Sequence, residues 1–212
     1  MEQSILRAET TNQVFLRGEL MELPVYSHEN HGKQFDKFVL SVQRLSGARD
    51  TINVLAEHEM LLELDPTAGS LIEVLGEIRS YNNRTGQGRR LVITVYAHSI
   101  AASDGEPDNQ VYLRGKVCRE PVYRRTPLGR EICDVMLAVE RKYRRMDYLP
   151  CILWGSLARM AADCEKGTEL SLTGRIQSRT YLKQLGEGSE ERTAYEISAI
   201  TAEINEDSET EG

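Results

Sequence analysis

A nine-residue segment is written twice in this chain of 212 residues: NQVFLRGEL begins at Asn12 and NQVYLRGKV begins at Asn109. An echo this close constrains the fold before any other feature, because an internal repeat implies a repeated structural unit. The register continues at the same spacing. Pro24-Val25-Tyr26 meets Pro121-Val122-Tyr123, Gly32 meets Gly129, Leu40, Val42 and Arg44 meet Leu137, Val139 and Arg141, and Asp50 meets Asp147. After a slip of one residue, GEIRS at 76–80 meets GRIQS at 174–178, and LVITVYAHSI ending at Ile100 meets YEISAITAEI ending at Ile204. The expected organisation is a first domain over 12–100, an acidic linker over 101–108, a second domain over 109–204 and an acidic tail over 205–212. Each repeat is long enough to bury a small core of its own.

The net charge of −7 argues against a nucleic-acid partner until it is partitioned along the chain. The first repeat carries −2, the linker −3 and the tail −4, whereas the second repeat carries +3. The acidic balance thus reports linker and tail, whose composition is that of solvated, flexible chain. The four cysteines, Cys118, Cys133, Cys151 and Cys164, form no CxxC pair and have no histidine nearby in sequence. They read as reduced, small apolar core residues, and no metal or cofactor is expected. His28 and His31 read as loop residues. Nothing resembles a nucleophile elbow, a phosphate-cradling glycine loop or a helical acid pair, so no enzyme and no small-molecule substrate is expected. No apolar run reaches 18 residues and the N-terminus lacks a basic-then-apolar signal pattern, which predicts a soluble, cytoplasmic chain without a membrane partner.

Within each repeat the apolar spacing is mostly two. Val111, Leu113, Gly115 and Val117 share one face and Tyr112, Arg114 and Lys116 the other, and Val135, Leu137 and Val139 continue the pattern after Cys133. This is the period of a strand with one buried face. In GSLARMAADCEKG, by contrast, Leu157, Met160, Ala161 and Cys164 recur at helical spacing, predicting one short helix closed by Gly167. Its counterpart is EHEMLLEL, which stops before Pro66. Three strands, a helix and two strands per repeat is the element order of the OB-fold. The expected fold class is therefore all-β, with two tandem five-stranded Greek-key barrels.

Function must come from the side chains on the open face. In DYLPCILW, Tyr148 and Trp154 have the same parity, about 20 Å apart at roughly 3.3 Å per residue. On the next strand Arg175, Gln177, Arg179 and Tyr181 also share a parity. If both sets face outward, the second repeat presents three rings with guanidinium groups among them. Rings are stacking platforms worth about 1–3 kcal/mol per unpaired base, and arginines track phosphates. RKYRR, Arg141 to Arg145, adds four bases around Tyr143. The residues alone leave a second reading open, in which Trp154 is core and RKYRR an ordinary solvated loop.

The second repeat resembles the DNA-binding domain of bacterial single-stranded-DNA-binding proteins, the SSB family. The matching pieces are VYLRGKVCREPVYRRTPLGREICDVMLAVER, DYLPCILWGSLARMAADCEKGTELSLTGRIQSRTY and YEISAITAEI. The first repeat matches at NQVFLRGEL, at PVY and at VLGEIRS. The resemblance implies OB-folds assembled four at a time around single-stranded DNA, with stacking at the positions here held by Tyr148, Trp154 and Tyr181 and backbone contacts near Arg124 and Arg179. Phosphates are then expected near Arg114, Lys116, Arg124, Arg144, Arg145 and Arg179. A duplicated chain needs only a homodimer to present four barrels.

The copies differ where binding is expected. Thr51, Glu57 and Asn83 hold the first-repeat positions of Tyr148, Trp154 and Tyr181, so that copy reads as a degenerate OB-fold kept for assembly, with Tyr81 and Arg79 as partial substitutes. Glu19 against Lys116 fits the same division. The hairpin TYLKQLGEGSEERTAY is expected to fold over bound strand. The tail NEDSETEG lacks the apolar tip that family members carry, which leaves it the role of an electrostatic competitor for the basic groove. The alternative reading is a pair of OB-folds acting as a protein-interaction scaffold with little nucleic-acid affinity, favoured by the acidic total and opposed by the second copy's rings and charge. Stacking does not by itself separate DNA from RNA.

Overall fold

The computed structural model describes residues 10–83, 91–141, 144–185 and 188–205. The first half runs β1 (Asn12–Leu20), β2 (Val25–Asn30), β3 (Lys33–Gln43), β4 (Arg49–Glu57), α1 (His58–Leu64), β5 (Leu71–Asn82) and β6 (Leu91–Ala102). The second repeats it as β7 (Asp108–Val117), β8 (Val122–Arg125), β9 (Glu131–Arg141), β10 (Arg145–Trp154), α2 (Ser156–Ala162), β11 (Glu169–Leu185) and β12 (Gly188–Asn205). In each half five strands close on themselves. β1 pairs with β3 and β5, β4 joins β3 antiparallel and β6 parallel, and β6 pairs with β5; β7, β9, β10, β12 and β11 close in the same way. Both halves are thus OB-fold barrels, as the sequence predicts. A sixth, short strand in each, β2 or β8, pairs only with β3 or β9 and lies outside the barrel, where the PVY segments read as turns.

The repeated segment has a physical reason to be repeated. Asn12 donates through Nδ2 to the Ile78 carbonyl at 2.7 Å and accepts the Ile78 N–H at 2.9 Å, clamping β1 to β5. Asn109 makes the same pair of bonds with Ile176 of β11. Gly18 and Gly115 sit where a Cβ would press on the backbone of Ser41 or Ala138, so the strands cross closely only without a side chain. Gly76 and Gly174 mark the register shifts in β5 and β11, where a Cβ would enter the carbonyl oxygen of Tyr96 or Ser198. The bend there lets one long strand serve both sides of its barrel.

Even-numbered residues of β1 and odd-numbered residues of β7 point inward. Val14, Leu16, Leu20, Val111, Leu113 and Val117 are all buried, with Val135, Leu137, Val139, Leu149 and Leu153 behind them. β1 and β7 also pair with each other, antiparallel, with Val14 opposite Val111, so the twelve strands are linked as one sheet across both barrels. Two further contacts repeat about this seam. Asp147 on β10 accepts the Ser80 N–H of β5 at 2.6 Å, and Asp50 on β4 accepts the Ser178 N–H of β11 at 2.7 Å. In return the Ser80 hydroxyl oxygen accepts the Tyr148 N–H at 2.7 Å, and that of Ser178 accepts the Thr51 N–H at 2.9 Å. The two barrels are bolted together at two points by mirror sets of bonds.

Several local expectations are revised. α2 ends at Ala162, before Cys164 and well before Gly167, whose N–H instead bonds to the Val117 carbonyl. Cys133, Cys151 and Cys164 are buried free thiols, whereas Cys118 is half-exposed. Burial holds the Cys133 thiol up at about 11. His28 lies on β2 and stacks on Phe35 with ring centroids 5.1 Å apart. The joint between β6 and β7 is a structured turn: Ser103 donates to the Leu71 carbonyl and Arg17 to the Glu106 carbonyl, so its acidic composition overstated its freedom. Asn205 still belongs to β12, and the rest of the tail, 206–212, lies outside the described residues. No helix among the described residues is long and apolar enough to cross a membrane.

Candidate nucleic-acid interface

The outer surface of the second barrel is set by register. On β10 the odd residues Asp147, Leu149, Cys151 and Leu153 are buried, which turns Tyr148 and Trp154 to the outside. Tyr148 pairs with Ala138 of β9, and Ala138 pairs in turn with Lys116 of β7. The backbone of Lys116 therefore stands two strands from that of Tyr148, roughly 10 Å away at the usual strand spacing. On β11 Arg175, Gln177, Arg179 and Tyr181 lie opposite Ser198, Glu196, Ala194 and Arg192 of β12, the strand that β10 joins at Cys151–Ile197.

Trp154 is half-buried, and its Nε1–H donates to the Ser198 hydroxyl at 3.3 Å. It is not in the core. With Arg125, Gly129, Arg130 and Glu131 it lines an open cleft beside Gly155, in which Arg125 is ion-paired to Glu131 at 3.5 Å. Arg125 and Arg130 are additions to the set read from sequence. Their signal was Arg-Arg followed by Gly-Arg in the turn after PVY, a pattern that places bases on a hairpin without saying which strand end it covers.

The expected cations fall into two groups. Lys116, Arg144, Arg145 and Arg179 are exposed, and among the described residues none has an ion-pair partner. Arg114 lies in the other group, on the same outward face of β7 as Lys116 but ion-paired to Glu169 of the neighbouring β11 at 2.5 Å. Arg124 is held by Asp134 at 2.7 Å on the arm that leads to the Trp154 cleft. The structure links Lys116 to Tyr148 through Ala138 and sets Arg124 on the arm beside Trp154, while Arg179 and Tyr181 stand on β11 opposite Ala194 and Arg192, and Arg114 shares the outward face of Lys116 but is engaged by Glu169. Lys142 and Tyr143 of RKYRR lie outside the described residues, as do Gly186 and Glu187 at the tip of the β11–β12 hairpin.

The matching surface of the first barrel differs. Thr51 occupies the place of Tyr148, opposite Ser41, and Glu57 that of Trp154, opposite Phe35 and ion-paired to Lys33 at 2.8 Å. Arg79 is not a free substitute. Its guanidinium bonds to Glu77 and to Asp147 and lies over the Tyr96 ring. Tyr81 is 57% exposed.

A closed five-stranded barrel with rings and bases on its open face defines a class of proteins that hold extended, unpaired nucleic acid. The chain belongs to the single-strand binding protein family, whose profile matches residues 108–204. It is 32% identical over 111 residues to single-stranded DNA-binding protein 1 of Lactococcus lactis, covering 49% of this chain and 72% of that one. To single-stranded DNA-binding protein B of Bacillus subtilis it is 36% identical over 85 residues, covering 37% and 75%. The crystal structure of the wild-type single-stranded DNA binding protein from Thermus aquaticus superposes with a TM-score of 0.75 at 26% identity, over 92% of this chain and 93% of that one. The Thermus match extends over both barrels, whereas the family profile covers only the second.

Proposed function

We propose that this chain captures single-stranded DNA without strong sequence preference, using the second barrel as the main binding surface. The observation that carries the reading is the placement of Tyr148 and Trp154 on one outward face, with Lys116 in register with the first and Arg125 and Arg130 beside the second. Bases of an extended strand stack on Tyr148, Trp154 and Tyr181. Phosphates meet Lys116, Arg179, Arg124 and the Arg144–Arg145 pair, and each neutralised phosphate releases counterions, so affinity falls as salt rises. Duplex binds poorly because its bases are already stacked on each other. Such a protein serves DNA replication, repair or recombination, wherever unpaired strand must be protected.

The first barrel supports this surface. Ser80 holds the backbone of Tyr148 and Asp50 holds that of Ser178, next to Arg179, so both edges of the binding surface are anchored on the neighbouring barrel. Two chains then give four barrels. Sedimentation at micromolar concentration is expected to return the mass of two chains, and a strict monomer contradicts that assembly.

The test of binding compares oligo-dT with a duplex of equal length by fluorescence anisotropy, in wild type and in Trp154→Ala and Tyr148→Ala. Preference for the single strand, weakened roughly 5- to 100-fold by each substitution, supports the proposal. Equal binding by all three proteins rejects the stacking mechanism.

A further inference from the structure

The seam between the barrels has two related clefts, and they differ in chemistry. On one side Thr51 lies beside Ser178 and Arg179. On the other Tyr148 of β10 faces Tyr81, Asn82 and Leu91 of the first barrel, with Met136 and Met146 behind, in an open cleft of about 430 Å³. Tyr81 and Arg179 occupy corresponding positions of the two copies, so the seam carries a ring where its partner side carries a guanidinium.

Three features of the aromatic cleft suit one kind of occupant. None of the residues that line it is charged, which disfavours a phosphate or a charged peptide side chain and favours a neutral planar group. Tyr81 and Tyr148 are 57% and 47% exposed, and among the described residues neither ring stacks on another ring. The Asn82 amide offers both a donor and an acceptor to a polar edge, while the methionines adapt to different ring sizes. The spacing is also fixed. Ser80, adjacent to Tyr81, accepts the Tyr148 N–H and donates its own N–H to Asp147, so the two tyrosines are tied across the seam by a pair of hydrogen bonds.

We infer that this cleft is a base-binding subsite of single-stranded nucleic acid, shared by Tyr81 of the first barrel and Tyr148 of the second. The inference rests on the binding function proposed above for the second barrel. Tyr81 also lines the long apolar groove of the first barrel with Leu23, Val25 and Leu55. A strand leaving Tyr148 therefore passes over Tyr81 toward that groove, and the first barrel contributes to binding despite Thr51, Glu57 and Asn83 at its three expected stacking positions.

The experiment uses the full chain and oligo-dT carrying 5-bromodeoxyuridine, cross-linked by ultraviolet light and mapped by mass spectrometry, together with affinity measured for Tyr81→Ala and Tyr81→Phe. The expected results are a cross-link on Tyr81 in wild type, affinity reduced about 5- to 100-fold in Tyr81→Ala and retained in Tyr81→Phe, with the salt dependence of binding unchanged because no phosphate contact is lost. Wild-type affinity in Tyr81→Ala with cross-links confined to Tyr148, Trp154 or Tyr181 overturns the shared subsite while leaving the second-barrel surface standing. A wild-type chain that neither binds nor cross-links the oligonucleotide overturns both.

Discussion

Asp147 of the second barrel holds Ser80 of the first, accepting its backbone N–H at 2.6 Å from a fully buried carboxylate. Arg141 at 2.5 Å and Arg79 at 3.3 Å neutralise that carboxylate. Removing it in Asp147→Ala leaves the buried Ser80 N–H without its acceptor and Arg141 without its carboxylate, while Arg79 keeps Glu77. The expected loss is about 2–4 kcal/mol, the guanidinium groups being partly solvated. Calorimetry checks it. A single cooperative transition in wild type should split or broaden in the Asp50→Ala/Asp147→Ala double variant, and an unchanged single transition contradicts the coupling.

Gly174 bends β11 so tightly that a methyl group would enter the Ser198 carbonyl oxygen. Backbone cannot yield as a flexible side chain does. Gly174→Ala is expected to cost about 1–3 kcal/mol in urea unfolding, with Gly76→Ala costing a similar amount in the first barrel. A neutral result at both positions would mean that the bends are soft.

The cations should separate by salt dependence. Arg179→Ala and Lys116→Ala are each expected to reduce the slope of log affinity against log salt by about 1. Arg114→Ala, whose guanidinium is already engaged by Glu169, is expected to leave affinity within about twofold. Equal slopes in all three variants would place the phosphate path elsewhere.

Acid should loosen the first barrel through Glu77. A hydrogen bond from His98, aided by the Arg79 charge, holds its carboxyl below the usual 4.5. A depressed folded-state value means stability that is present above the unfolded value and lost as pH falls through the folded one. Melting temperature is therefore expected to drop below about pH 4.5, by an increment that Glu77→Gln removes. The pair is partly exposed, so its contribution should be below about 1 kcal/mol. Parallel pH profiles for variant and wild type would contradict this assignment.

Much of the fold was legible because the period-two burial of strands such as β7 and the duplicated glycines leave marks in one dimension. Gly18, Gly115, Gly76 and Gly174 all fall inside the repeated motifs, each where strands approach too closely for a side chain. The outward parity of Tyr148 and Trp154 was legible for the same reason. What sequence could not supply was distance between strands. Arg114 shares an outward face of β7 with Lys116, yet Glu169 of the neighbouring β11 engages it; Arg125 and Arg130 reach Trp154 only through the fold of the arm. The bonds of Asp50 and Asp147 across the seam join residues far apart in the chain, and their matched positions in the repeat gave no sign that each would serve the other copy. The linker misled through composition, since its backbone and the Ser103 hydroxyl, not its acidic side chains, make the bonds that hold it.

The central claim is that the second barrel stacks unpaired bases on its outward rings. Trp154 is the chain's single tryptophan, so titrating its fluorescence with oligo-dT at low and moderate salt reads that surface directly. Saturable quenching that weakens with salt, and that requires higher oligonucleotide concentration in Tyr148→Ala, is the predicted result. Unchanged emission from a folded protein that does not bind the oligonucleotide would contradict the claim and leave two OB-folds acting as a scaffold.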